Sequence, residues 1–159
     1  MIPISPPQNA INDAIALYSN GQIQAALDTT ENLIKAYPND SLLFNISGIC
    51  YKTIGKLNEA VMSFEKALVI QPTYAEVHYN LAVTYQELIQ LDAAINSYKT
   101  ALKIKPDYAD ACNNLGVIFN KLNQNDDAVK ILKKALTIKP DFADASNNLG
   151  IAFKKLGQV

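Results

Sequence analysis

Three asparagines, Asn80, Asn114 and Asn148, recur at intervals of 34 residues, and Asn113 and Asn147 stand one position before the last two. A primary amide carries two donor hydrogens and an acceptor oxygen. It can therefore bond both the N–H and the C=O of an extended peptide, whatever that peptide's side chains are. Such groups at a fixed interval suit the capture of another chain's backbone rather than the making or breaking of bonds. Val83, Val117 and Ile151 each follow an asparagine by three residues. On a helix that places them on the same face, where they would form an apolar floor. Tyr79, Lys52, Gln86, Asn120, Lys121, Lys154 and Lys155 are candidates for the walls. The competing reading has the asparagines bonding neighbouring turns or water.

Groups suited to catalysis are sparse. His78 is the single histidine, and two cysteines, Cys50 and Cys112, lie far apart in the chain. No set of residues at metal-ligand spacing follows from these. Asp126 and Asp127 could pair as acid and base, but a position at a helix start gives them a simpler role against the helix dipole. The serines and threonines lack a base at any recognisable spacing, and no glycine-rich phosphate loop is present. Lys133 and Lys134 read as a solvated face. The sequence therefore predicts no catalytic residue, no metal and no cofactor.

The elements that must position the asparagines are announced by a longer repeat. Pro106–Gly116 returns as Pro140–Gly150 with nine of eleven residues unchanged, and related segments start at Pro72 and Pro38. A fixed period of this size marks a stacked repeat array. Repeats are expected at 7–40, 41–74, 75–108 and 109–142, with a half repeat at 143–159, after an unstructured lead over 1–6. Each repeat holds two amphipathic stretches of helical period. Leu115, Ile118, Phe119 and Leu122 mark a first helix; Ala128, Ile131, Leu132, Ala135, Leu136 and Ile138 mark a second.

Local signals sharpen the expected boundaries. Thr73 and Glu76 have the form of a capping box, and Asp107 and Asp141 could cap in the same manner. Gly21, Gly55 and Gly157 stand where a first helix would end in a left-handed residue. Asn123 tolerates that conformation, whereas Ile89 should strain or reshape its turn by about 1 kcal/mol or more. Pro38, Pro72, Pro106 and Pro140 close the second helices, because proline drives its predecessor out of helical geometry.

These residues resemble the tetratricopeptide-repeat family, a 34-residue helix–turn–helix unit. Its pattern of Leu-Gly, aromatic, Ala, aromatic, Ala and Pro is matched by Leu115, Gly116, Phe119, Ala128, Leu132, Ala135 and Pro140. Leu81, Ala82, Tyr85, Ala94, Tyr98, Ala101 and Pro106 match it again, as do Gly48, Tyr51, Ala60, Phe64, Ala67 and Pro72. The first repeat keeps Ala14 and Ala26 but departs at Asp13, Thr30 and Leu33. The resemblance implies an all-α, right-handed α-solenoid of antiparallel helix pairs whose first helices line a concave groove. The ladder would then face that groove, as in the similar asparagine ladder of O-linked N-acetylglucosamine transferase repeats. Asn80, Asn114, Asn148, Asn113, Asn147, Tyr79, Val83, Val117 and Lys121 are accordingly the expected peptide-binding set. The carboxylate clamp of chaperone-tail domains is missing, since Asn45, Ile49, Tyr79 and Asn114 hold its places. Similar repeats also precede glycosyltransferase-, sulfotransferase- or oxygenase-like domains, so a substrate-presenting segment of an enzyme is the alternative.

Composition narrows the partners to protein. The net charge is −1, and all 14 cationic side chains are lysine. Without arginine the bidentate contacts to phosphate and guanine are lost, and the near-neutral balance gives no basic footprint; nucleic acid is not expected. No apolar run reaches the length of a membrane span, and the N-terminus lacks a signal-peptide pattern, so a cytoplasmic chain is expected. Cys50 and Cys112 would lie roughly 20 Å apart, at about 10 Å per stacked helix pair, too far for a disulfide. At the other end Leu149, Phe153 and Leu156 would be left uncovered by the half repeat. They predict both the N-terminal part of a longer protein and a homodimer through that helix.

Overall fold

The computed structural model describes residues 5–157; residues 1–4 of the lead expected over 1–6, and the last two residues of the chain, lie outside that range. Among the described residues there are nine α-helices and no strand: α1 (Gln8–Ser19), α2 (Ile23–Ala36), α3 (Ser41–Thr53), α4 (Leu57–Ile70), α5 (Ala75–Glu87), α6 (Leu91–Ile104), α7 (Ala109–Lys121), α8 (Asn125–Ile138) and α9 (Ala143–Lys155). The fold is an all-α helical-repeat solenoid. Two compact units divide it, the first ending at Gln90 and the second beginning at Leu91.

In the first unit α1 pairs with α2 and α3 with α4, and α5 packs on α4; α2 also packs on α3. Loops as short as Asn20–Gln22 force the paired helices to run antiparallel. One core layer joins Ile11, Ala26, Leu27, Leu43, Ile46 and Cys50. The next joins Phe44, Ala60, Phe64, Ala67, Val77 and Leu81. In the second unit α7 packs against α6 and α8, and α9 closes on α8 and α7. Its buried residues include Leu115, Ile118, Leu132, Ala135, Ala145 and Ala152.

Small residues set how closely the paired helices approach. A Cβ on Gly48 would sit 2.6 Å from the Phe64 ring, and one on Gly116 would sit 2.5 Å from Leu132 Cγ. The partner side chain occupies the volume that a side chain at the glycine would need. Gly150 holds the same register in α9, and a Cβ there would meet nothing within 4 Å.

The turns follow the sequence in part. Gly21, Gly55 and Gly157 take positive φ, Asn123 joins them at 57°, and Ile89 is held at 61°. The strain expected at Ile89 is thus stored rather than relieved by a different turn. Each second helix ends two residues before its proline, at Ala36, Ile70, Ile104 and Ile138. The capping expectations fail, however. Helices α5, α7 and α9 have Tyr74, Tyr108 and Phe142 as N-caps, none with a side-chain cap bond. Thr73, Asp107 and Asp141 fall one residue too early, because the half-buried aromatic takes the capping position. Lysine ammoniums cover two of these rings, Lys105 at 4.8 Å from Tyr108 and Lys139 at 4.7 Å from Phe142. Helix α3 does gain an aspartate cap, where Asp40 accepts from the Leu43 amide at 3.0 Å.

Candidate functional site

The asparagines sit on the first helices of their hairpins, and their first partners are one another. In the first unit Asn80 Nδ2 donates to Asn45 Oδ1 at 3.1 Å. In the second, Asn148 Nδ2 donates to Asn113 Oδ1 at 2.9 Å. Both bonds link residues 35 apart, one more than the repeat, so each joins consecutive first helices within its unit. Asn113 in turn donates to Asn114 Oδ1 at 3.3 Å. An amide has two donors and two lone pairs. Each of these bonds uses part of that capacity and fixes the rotamer of what remains.

The second unit gathers several of the expected residues around one recess. Val117, Asn120, Lys121, Asn148, Ile151 and Lys155 line a space of about 240 Å³ between α7 and α9. Its floor is apolar and its rim carries two lysines. Asn120 Nδ2 donates to the Asn148 carbonyl at 2.9 Å, and Lys155 Nζ donates to the Asn120 carbonyl and to Asn123 Oδ1. Asn120 is 6% exposed, and its Oδ1 is buried without a partner. Asn113 is buried beside the recess, Asn114 is half-buried, and Asn147 is exposed.

Tyr79, Asn80 and Val83 lie on α5 in the first unit, all half-buried. A recess of about 200 Å³ there is lined by Ile15, Tyr18, Leu42, Asn45, Ile49 and their neighbours rather than by Tyr79 or Val83. Asn80 reaches it through Asn45. Asn45 was absent from the expected binding set, although its 35-residue offset from Asn80 is visible in the sequence. Lys52, an expected wall residue, pairs with Glu87 at 3.5 Å.

The remaining candidate groups lie outside the two recesses. His78 is half-buried, with Nε2 at 2.9 Å from the Pro72 carbonyl. Asp126 and Asp127 occupy the first turn of α8. Cys50 and Cys112 are buried free thiols, and burial pushes Cys50 up to about 11. Among the described residues no group of three or more His, Cys, Asp or Glu could hold a metal ion. None of the described helices is long and apolar enough to cross a membrane. Leu149 and Phe153 of α9 and Leu156 just after it are half-buried, while Ile151 remains 48% exposed.

Comparison with known proteins places these features in a family. The profile described as "TPR repeat" matches residues 51–88, 90–122 and 116–157, and that described as "Tetratricopeptide repeat" matches 14–40. The peroxisomal targeting signal receptor of Kluyveromyces lactis is 26% identical over 82 residues, which cover 52% of this chain and 14% of the receptor. A crystal structure of MamA is 27% identical and superimposes with a TM-score of 0.86, covering 95% of this chain and 82% of MamA. The structure of YrrB, described as "a TPR protein with an unusual peptide-binding site", is similar in fold, with 21% identity, a TM-score of 0.79, and coverage of 94% of this chain and 77% of YrrB.

Proposed function

Since this chain belongs to the tetratricopeptide-repeat family, we propose that it is a protein–protein interaction module that binds an extended peptide along the first helices of its repeats. The observation that carries this reading is the recess between α7 and α9, where an apolar floor of Val117 and Ile151 adjoins the fixed amide of Asn148. The Asn148–Asn113 bond holds that amide in one rotamer and leaves its oxygen as an acceptor for a peptide N–H. The Asn80–Asn45 pair does the same in the first unit. Preorganisation of this kind lowers the ordering cost of binding. Main-chain bonds supply affinity that is tolerant of sequence, and the floor adds shallow apolar contacts. The partner is a protein or peptide, and the chain itself carries out no chemistry on it.

The test is calorimetric titration of a peptide selected on the wild-type chain from a random library, repeated with Asn80, Asn114 and Asn148 all changed to Ala. Loss of about tenfold or more in affinity, with unchanged helicity, is expected from removing hydrogen bonds of about 0.5–1.5 kcal/mol each. Affinity within twofold of wild type would end the ladder reading.

Self-association through α9 is a second proposal, supported by the open space over Gly150 and the exposure of Ile151. A sedimentation profile that stays monomeric at high concentration, and is unaltered by Phe153→Asp with Leu156→Asp, would remove it.

A further inference from the structure

A different face of the second unit carries a site of opposite character. Four residue pairs recur at an offset of 20: Glu31 with Tyr51, Glu65 with Tyr85, Lys99 with Phe119, and Lys133 with Phe153. In the first two the phenol donates to the carboxylate, Tyr51 to Glu31 and Tyr85 to Glu65, the latter at 3.0 Å. Each bond ties the second helix of one repeat to the first helix of the next. In the fourth pair the Lys133 ammonium lies 5.4 Å from the centre of the Phe153 ring. The third pair does neither. The acid has become a base and the phenol has lost its hydroxyl.

At that third position a groove opens between α6 and α8, floored by Leu115 and Phe119 of α7. Its volume is about 620 Å³, against about 250 Å³ for the crevice that holds Glu31 and Tyr51. Lys99 and Lys103 line one wall and Lys130 and Lys134 the other, with Asp127 the one acid. Among the described residues none of these four lysines is in an ion pair. Each wall therefore presents two ammoniums four residues apart, about 6 Å along a helix, above a buried apolar floor.

We infer that this groove binds an acidic amphipathic helix of a partner protein, independently of the peptide site on the first helices. An apolar stripe at i, i+3 and i+7 would enter over Leu115 and Phe119, in the helix-in-groove mode. Carboxylates at i, i+4 on both flanks of the stripe repeat the lysine spacing. Charge complementarity chooses acid for the flanks, and an apolar floor between two lysine-bearing walls chooses a helix over a broad surface.

The test is fluorescence anisotropy with a labelled 16-residue peptide carrying Leu at those positions and Glu on both flanks. Its scrambled isomer, single-stranded oligonucleotide and phosphatidylserine vesicles serve as competitors. Saturable binding is expected at roughly micromolar to tens of micromolar, weakening about fivefold or more between 0.05 and 0.3 M salt as surface charges are screened. Lys99→Glu with Phe119→Tyr recreates the pair that the chain uses twice elsewhere. It should close the groove and weaken binding about tenfold. Lys103→Glu with Lys130→Glu, which leaves the floor intact, should weaken it by a similar factor. Unmoved affinity in both folded variants, equal binding of the scrambled isomer, absence of saturation below about 1 mM, or displacement by oligonucleotide or vesicles more readily than by unlabelled peptide would each overturn the inference.

Discussion

Gly116 and Gly150 occupy one register position in two successive repeats, and substitution by alanine should move stability in opposite directions. Both changes gain the helix propensity of Ala over Gly, about 1 kcal/mol. At Gly150 nothing opposes that gain, since the new Cβ meets no atom within 4 Å. At Gly116 the Cβ would sit 2.5 Å from Leu132 Cγ and 2.7 Å from its Cδ2. Contact with Cγ leaves little escape by rotation, and Leu132 is fully buried, so α7 and α8 must separate. Overpacking of this kind costs about 1–3 kcal/mol. The propensity gain cancels between the two variants, so their difference isolates packing: Gly116→Ala should be less stable than Gly150→Ala by about 1–3 kcal/mol. Urea unfolding followed by circular dichroism reads this as separated midpoints, provided the m-values agree. Adding Leu132→Ala to Gly116→Ala should give a non-additive cycle, because the clash disappears with the side chain. Equal midpoints for the two glycine variants would refute the close-approach argument.

Two further outcomes follow from backbone and titration. Ile89, at φ 61° and 80% exposed, should gain about 1 kcal/mol of stability on replacement by Gly, which tolerates that φ without its Cβ clash; a loss measured by thermal unfolding would show that its side chain matters more than its strain. The bond to the Glu31 carboxylate, aided by burial, pushes Tyr51 up to about 12. The folded state thus holds this proton more tightly than the unfolded chain. The contribution to stability is complete below the unfolded value of about 10 and is lost as pH rises through about 12. Glu31→Gln should lower the Tyr51 midpoint, read as tyrosinate absorbance by difference from Tyr51→Phe; an unmoved midpoint would contradict the assignment.

Much of the architecture was legible because the 34-residue period repeats both its glycines and its prolines. Helix starts at Ser41, Ala75, Ala109 and Ala143 and helix ends before each proline could be read directly. Caps could not. A hydroxyl or carboxylate near a helix start is a local signal, and the half-buried aromatics at 74, 108 and 142 took the position. The asparagine pairs were half visible: Asn80, Asn114 and Asn148 recur at 34, while the bonds run at 35 because one first helix is offset against the next. The switch from Glu/Tyr to Lys/Phe at an offset of 20 was present in the sequence, but its meaning needed the hydrogen bonds of the first two pairs. Lys133 is exposed, as expected of a solvated face, and its ammonium also lies over Phe153, which reduces the apolar area expected on α9. Lys134, read the same way, lines a groove wall.

The measurement closest to the central claim is a titration of the library-selected peptide and its two analogues, each N-methylated at one alternating set of backbone amides with side chains unchanged, followed by the Asn148 side-chain amide and the Val117 and Ile151 methyl resonances. Backbone capture predicts that the unmodified peptide shifts these signals to saturation and that N-methylation in one of the two alternating frames abolishes the effect. Equal binding of both methylated frames, or shifts confined to other residues, would contradict it.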